Sequence, residues 1–589
     1  MDFSYTKRSN TLLFDSFKKK ELLNVSDVQN YVPIYSTFFS LKQNNYNSIN
    51  LNNCLSLHSI RSKLDENAFL GKIMDTNGKL REKNIFFKFS PLLDHIKYMV
   101  GKYDTLNIFK LPILNGSDDD NTNTIVYKKM NDANNSAYVD SFFSFLSSKL
   151  LHTHNFINGI DFYGSYLAVK NSLNVNVYDD MELLIDSDFF YKNNGGLFTV
   201  NQTDVNNHLG GGNDTREFKR TIRIHSIHDE KVDKDEVVKD TDIEEDVKDD
   251  DIILLETLSE VTDETKSCVE TDEDEMDSEV EDSDTDDDED NEEKIVEPDN
   301  APIDSDNSQV SDYEYENSDS IHLSDYDIEE DEEDEEDEVS ATIHSFPVQL
   351  IALEKCDDTL DSYISSHKLS DDELDSIIIQ ILMSLITFQK TFGLTHNDLH
   401  TNNIMYVRTN KKHLYYLVGG KQYKIKTFGK IYKIIDFGRA IYSFNGNIIC
   451  SDSFSKNGDA ATQYNCIPYL NINKPVIEPN YSFDLCRLGC SLFDVFVDSV
   501  SQVQNVTSPI IKIILSWCLD DNNKNIMYKR NGDERYPDFK LYKMIARTVH
   551  NHVPATVLEN KYFDKFIIEP SSVKKIYNVM NIDKYPSYK

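Results

Sequence analysis

Between residues 370 and 393 the chain reads SDDELDSIIIQILMSLITFQKTFG, with apolar residues at helical spacing. Ser370 is a candidate N-cap, Glu373 would complete a capping box, and Gly393 is a candidate stop, so a long helix is predicted here. YVDSFFSFLSSKLL (138–151) and YSFDLCRLGCSLFDVFV (481–497) predict two more helices. NAFLGKIM, the turn DTNGK and NIFFKF predict a hairpin, because Asn-Gly joins two apolar runs. NFINGIDFYGSYLAV predicts one or two strands, TIVYKK a short strand, and FPVQLIALEKCDDTLDSYI (346–364) a buried strand running into a helix. NIMYV and IYKIIDFGRA (431–440) read as strands on either side of a lysine-rich hairpin. Residues 505–580 read as mostly helical, and 1–53 as a polar, Asn-rich, irregular extension.

Charge divides this pattern in two. The formal net charge is −43, but residues 229–340 hold 54 acidic and 6 basic residues, which leaves the rest slightly basic. Like-charge blocks such as DIEEDEEDEEDEVS bury too little apolar surface to offset chain entropy, so 228–342 is expected to be a disordered acidic insert. Within it, IILLETL could dock transiently, and Ser278, Ser283, Ser311 and Ser324 stand in acidic surroundings suited to an acidophilic kinase. The eight cysteines form no C-x-x-C pair, which favours reduced thiols in a cytoplasmic protein. No signal-peptide core and no long apolar run is seen, so neither a membrane partner nor direct nucleic-acid binding is expected, and a monomer is.

The segment GLTHNDLHTNNIMY (393–406) is unusually polar for its apolar surroundings. His396 and His400 are four apart, but Gly393 and the strand formers after Asn403 argue against a helix that would aim both at one metal. Phosphoryl transfer uses more of these residues. It needs a carboxylate to orient and deprotonate a hydroxyl, and oxygen donors for Mg²⁺. Asp398 and Asn403 have the spacing D-x-x-x-x-N, and KIIDFG supplies Asp436 at the end of an apolar strand.

With these pieces in this order, the chain resembles the eukaryotic-like protein kinase superfamily. HNDLHTNN is similar to its catalytic loop H-R-D-L-x-x-x-N, DFG to its metal-binding loop, QLIALEKCDDTL to its hinge strand, and SFDLCRLG to the helix that anchors the catalytic loop through Asp484. The texture resembles most the divergent serine/threonine-type kinases of nucleocytoplasmic large DNA viruses (mimivirus-like), which would put the protein in host cytoplasm or a virion. The resemblance implies an α+β, two-lobed protein-kinase-like fold. Its parts would be a divergent N-lobe at 54–227, the insert at 228–342, the hinge and C-lobe at 343–560, and a tail at 561–589. It also implies ATP and Mg²⁺ as cofactors and a protein substrate. Asp398 would be the catalytic base, Asn403 and Asp436 the metal ligands, and His396 a structural residue. Lys88, with Lys128 as rival, would hold the α/β-phosphates and pair with Asp140. Gly71 would lie in a phosphate-covering turn, and Glu354, Lys355 and Cys356 would line the adenine site.

The pattern is broken in places. Asn397 stands where the family has Arg, so activity is expected without a phosphorylated activation loop. His400 stands where many serine/threonine kinases have Lys, which keeps a small-molecule phosphotransferase open as an alternative. No G-x-G-x-x-G is present, which keeps open a non-catalytic binding module. Lysines 411, 412, 421, 424, 426, 430 and 433 read as a solvated basic hairpin, or as a dock for an acidic partner such as the insert.

Overall fold

The computed structural model describes residues 1–103, 108–114, 124–200, 339–569 and 578–589. The expected insert at 228–342, with IILLETL and the four serines, lies outside the described residues up to 338. The last residues assigned to it are structured, since Ser340–Ile343 is a strand between Leu173–Asn176 and Phe198–Val200. The chain on the two sides of 201–338 forms one unit of mixed α+β structure.

Six antiparallel strands make the principal sheet: β1 (Val25–Gln29), β2 (Leu55–Lys63), β3 (Ala68–Asp75), β4 (Leu80–Pro91), β5 (Phe162–Lys170) and β6 (Phe346–Glu354), in the order β1-β5-β6-β4-β3-β2. Gly78 turns β3 into β4 at φ +78°, and the Asp75 carboxylate accepts from the Lys79 N–H at 3.0 Å. The turn therefore has the left-handed residue that an Asn-Gly hairpin needs.

Residues 1–53 are not an irregular extension. They supply β1 and the helix Thr11–Phe17, which buries Leu13 and Phe17. Their asparagines crosslink distant backbone: Asn10 Nδ2 donates to Asn30 Oδ1 (2.6 Å) and Asn50 Oδ1 (2.7 Å), and the Asn30 N–H to Asn47 Oδ1 (2.8 Å). Such long-range side-chain bonds leave no periodic trace. TIVYKK is the helix Ile125–Asn131, capped by the Thr124 hydroxyl, so its β-branched residues misled. Among the described residues of 505–580 there are only short helices, including Pro509–Ser516 and Pro554–Leu558. The last residues pack rather than trail: Ile582 and Tyr585 are buried, and the Tyr588 N–H donates to Thr391 O at 2.7 Å.

Four helices matter for the site: α1 (Ser136–His154), α2 (Asp371–Phe392), α3 (Phe483–Phe496) and α4 (Lys540–Thr548). α1 lies against β5 and β6. α2 has the Ser370–Glu373 capping box and ends at Gly393 in the left-handed region, and nearly all its residues are buried. Phe143 of α1 meets Phe388 and Phe392 of α2 and Phe437, with ring centroids 5.2, 5.5 and 4.5 Å apart. Edge-on and tilted pairs of this kind add roughly 0.5–1.5 kcal/mol each beyond their burial. The same aromatic cluster therefore fixes α1 against the loop that holds Asp436.

Candidate active site

Lys88 lies on β4, where alternation buries Phe87 on one face and turns Lys88 to the other. Its Nζ is 2.7 Å from Asp140 Oδ2 on α1 and 2.7 Å from Asp436 Oδ1. One ammonium thus joins the sheet, a helix and a loop. Burial opposes the Lys88 charge, but the two carboxylates outweigh it and raise its pKa. Burial likewise works against ionised Asp436, and Lys88 overcomes it, pulling that carboxyl down to about 2. Asp140 is pushed the other way, first by burial, with Lys88 opposing. Its Oδ1 also accepts from the Phe437 N–H at 2.9 Å, so α1 holds the backbone beside Asp436.

Asp436 and Asn397 both have positive φ, +63° and +66°. Asp and Asn tolerate this conformation better than most residues, but it is held only where surroundings over-determine it. At Asn397 they do. It is fully buried, its Nδ2 donates to Arg439 O (2.9 Å) and Thr395 O (3.2 Å), its Oδ1 accepts from the Tyr464 hydroxyl (2.7 Å), and its N–H donates to Asp484 Oδ1 (2.9 Å). Asp484 Oδ2 takes the His396 N–H at 2.9 Å, so this buried carboxylate on α3 clamps the loop ahead of Asp398.

The Asp398 N–H donates to His396 Nδ1 (3.3 Å), and His396 Nε2 faces Ile435 O (2.9 Å). With Nδ1 accepting and Nε2 donating, both ring nitrogens of His396 are used and it acts as a strut. Asp398 Oδ1 accepts from the Tyr542 hydroxyl on α4 at 2.8 Å, and Arg487 Nε donates to that hydroxyl at 2.7 Å. Burial disfavours ionised Asp398, but Arg439, His400, Arg487 and the Tyr542 bond together hold its pKa below the usual carboxylate range. Arg439 is itself paired with Asp459 at 2.6 Å.

Asn403 Nδ2 donates to Asp398 O (2.8 Å) and His400 Nε2 (3.1 Å), and its Oδ1 has no partner among the described residues. Asn403 Oδ1 and the Asp436 carboxylate are hard oxygen donors, a set that suits Mg²⁺ when phosphate and water complete it. His400 does not replace a lysine's charge. Burial lowers its pKa to about 4, so it is neutral at pH 7.

The other expected site residues fall elsewhere. Gly71 is not in a turn. It sits inside β3, where an added Cβ would lie 2.6 Å from Ile85 Cδ1 and 2.7 Å from Ser59 O, so it permits close strand packing. The turn between β2 and β3 is residues 64–67, with Asp65 and Glu66 and no glycine, and Asn67 O accepts from the Phe87 N–H at 2.8 Å beside Lys88. Lys128 is exposed on its helix, away from Asp140 and Asp436. The Glu354 carboxylate is taken by Lys433 and by the Asp161 N–H (2.8 Å). Lys433 is therefore buried, not part of a solvated hairpin. After Glu354, the Lys355 carbonyl and the Cys356 N–H have no hydrogen bond among the described residues, leaving an acceptor and a donor free at the end of β6.

Sequence reading missed Arg439, Asp459, Tyr464, Arg487 and Tyr542. Arg439 directly follows DFG, and Arg487 lies one turn beyond Asp484, so both were within reach. Tyr542 is 144 residues from Asp398 and carries no local signal.

No family model matches the chain. Over 88 residues it is 36% identical to a serine/threonine-protein kinase haspin homolog of Arabidopsis thaliana, which takes in 15% of this chain and 14% of that protein. The likeness is local and supports a protein-kinase-like relationship. Among the described residues no helix is long and apolar enough to cross a membrane, and no group of three or more His, Cys, Asp or Glu residues could hold a metal.

Proposed function

We propose that the chain is a protein kinase of two-lobed architecture that transfers the γ-phosphoryl group of Mg-ATP to serine or threonine hydroxyls. The observation that carries this reading is the Lys88 ion-pair junction, in which residues 88, 140 and 436 converge within hydrogen-bond distance. A lysine held charged between two carboxylates is poised to exchange one of them for phosphate oxygens. Asn403 and Asp436 would hold Mg²⁺, which neutralises charge on the phosphates. Asp398 orients the acceptor hydroxyl and takes its proton, a role worth roughly 10²–10⁴-fold in rate. The free Cys356 N–H suits a ring-nitrogen acceptor of adenine. The local likeness to a serine/threonine kinase points the same way.

A polypeptide acceptor is favoured over a small molecule by the loop that follows Tyr464. Ile467, Ile472 and Val476 are 60%, 86% and 60% exposed there, apolar surface that a small acceptor would not need. The test is transfer of labelled γ-phosphate to proteins and to small hydroxyl acceptors, with Asp398→Asn as control. Transfer to protein that Asp398→Asn abolishes, with Mg-ATP binding retained, supports the reading. Transfer to small acceptors alone would make this a small-molecule phosphotransferase. Equal failure of both proteins with Mg-ATP still bound would make it a binding module.

A further inference from the structure

A cationic cluster lies beside Tyr542, whose hydroxyl bonds Asp398. On α4, Lys543 follows Tyr542, and Arg547 lies one turn on, its Nη1 donating to Lys543 O at 2.7 Å. Arg547 Nη2 donates to Thr462 O at 2.7 Å, which ties α4 to the loop whose Tyr464 bonds Asn397. That loop is closed by the Asn465–Ile477 bridge and by Asn465 Nδ2, which donates to Lys474 O at 3.1 Å and Pro475 O at 2.7 Å. Its cation Lys474 is exposed. Burial lowers the Lys543 pKa, and the Arg547 and Lys474 charges lower it further, as neighbouring cations must. None of Lys474, Lys543 and Arg547 has a carboxylate partner among the described residues.

Three cations without counter-ions cost free energy through mutual repulsion unless an anion joins them. Lys474 shares its loop with exposed Ile467, Ile472 and Val476, and Lys543 and Arg547 lie near Tyr542 and Tyr464, which bond Asp398 and Asn397. We propose that the acceptor is an acidic polypeptide segment, a serine or threonine flanked by Asp, Glu or an existing phosphate, seated on Lys474, Lys543 and Arg547. The proposal rests on the kinase reading and adds its substrate class. The apolar residues receive neighbouring side chains of the same segment, and the cations select its charge. Nothing in the cluster is needed for proton transfer, so its loss alters selection and leaves the chemistry in place.

The experiment compares the full chain with the variant Lys474→Glu/Lys543→Glu on three serine peptides that differ only in Asp/Glu, Ala or Lys flanks. The wild type is expected to favour the acid-flanked peptide over the Ala-flanked one by roughly tenfold in kcat/KM, the sum of a few screened surface pairs. That preference should shrink as salt rises from 50 to about 300 mM. The variant should lose or invert the preference while keeping its rate on the Ala-flanked peptide. Equal use of the three peptides by the wild type, or a preference the variant retains, overturns the substrate class while leaving the kinase reading intact. Absence of transfer to any peptide or protein would instead count against the kinase reading itself.

Discussion

Tyr542→Phe tests how Asp398 is kept ionised. The Tyr542 hydroxyl donates to Asp398 Oδ1 at 2.8 Å, and Arg487 Nε, 2.7 Å away, polarises it further. Burial raises the Tyr542 pKa, so its hydroxyl remains a protonated donor across the assay range. A hydrogen bond to a charged group contributes about 1.5–3 kcal/mol, and 1.36 kcal/mol corresponds to one pH unit. The bond favours the ionised carboxylate, so its loss raises the Asp398 pKa. On the kinase reading, Asp398 must be ionised to accept a proton, so activity would be lost as pH falls through that pKa. The acid limb of kcat/KM in Tyr542→Phe should therefore move up by roughly one to two pH units, with rates near the wild type on the alkaline plateau. The assay is γ-phosphoryl transfer at subsaturating acceptor from pH 3 to 9, with circular dichroism to check the fold. A uniform fall at every pH with an unmoved acid limb would refute the reasoning and make Tyr542 merely a packing residue.

Three further substitutions separate structural from chemical roles. Asn397→Ala strips partners from buried Tyr464 and from two carbonyls, and should lower stability by about 2–4 kcal/mol in denaturant unfolding. Phosphatase treatment of the wild type should leave activity unchanged, because no cation stands at position 397. Gly71→Ala should destabilise by about 1–3 kcal/mol through its clash with Ile85 and Ser59, without a selective rise in KM for ATP. Asp452→Ala removes the 2.7 Å pair with Lys129 and the bond to the Ser136 N–H at the start of α1. Amide exchange across α1 should then quicken, and KM for ATP should rise because α1 carries Asp140.

What could be read from the sequence depended on range. The helix 371–392 declares itself through a local capping box and a glycine stop. Asp398, Asn403 and Asp436 stand out because each lies in a short segment whose spacing the chemistry constrains. The Asn10–Asn30–Asn50 network and the Tyr542–Asp398 bond join residues 20 to 144 positions apart, and neither leaves a periodic or compositional mark. The glycine at 71 shows the converse error. A lone glycine between strands suggests a ligand-covering turn, but here it relieves contact with Ile85 and Ser59 inside the sheet.

That difference bears on how the phosphates would be held. The turn at 64–67 has no glycine and presents Asp65 and Glu66, so it brings negative charge to the end of the sheet where Asn67 meets Phe87, next to Lys88. Tight main-chain wrapping of phosphate, which glycine permits, is not available there. On the kinase reading, the binding of a triphosphate would then rest more heavily on Lys88, on Asn403 and Asp436 as metal donors, and on the open groups after Glu354. A protein that depends on so few contacts should lose nearly all nucleotide binding when Lys88 is replaced by Met, where a glycine-rich turn would have retained part of it. It should also bind the nucleotide far more weakly when Mg²⁺ is chelated, since Asp436 without a metal would repel the phosphates that Lys88 attracts.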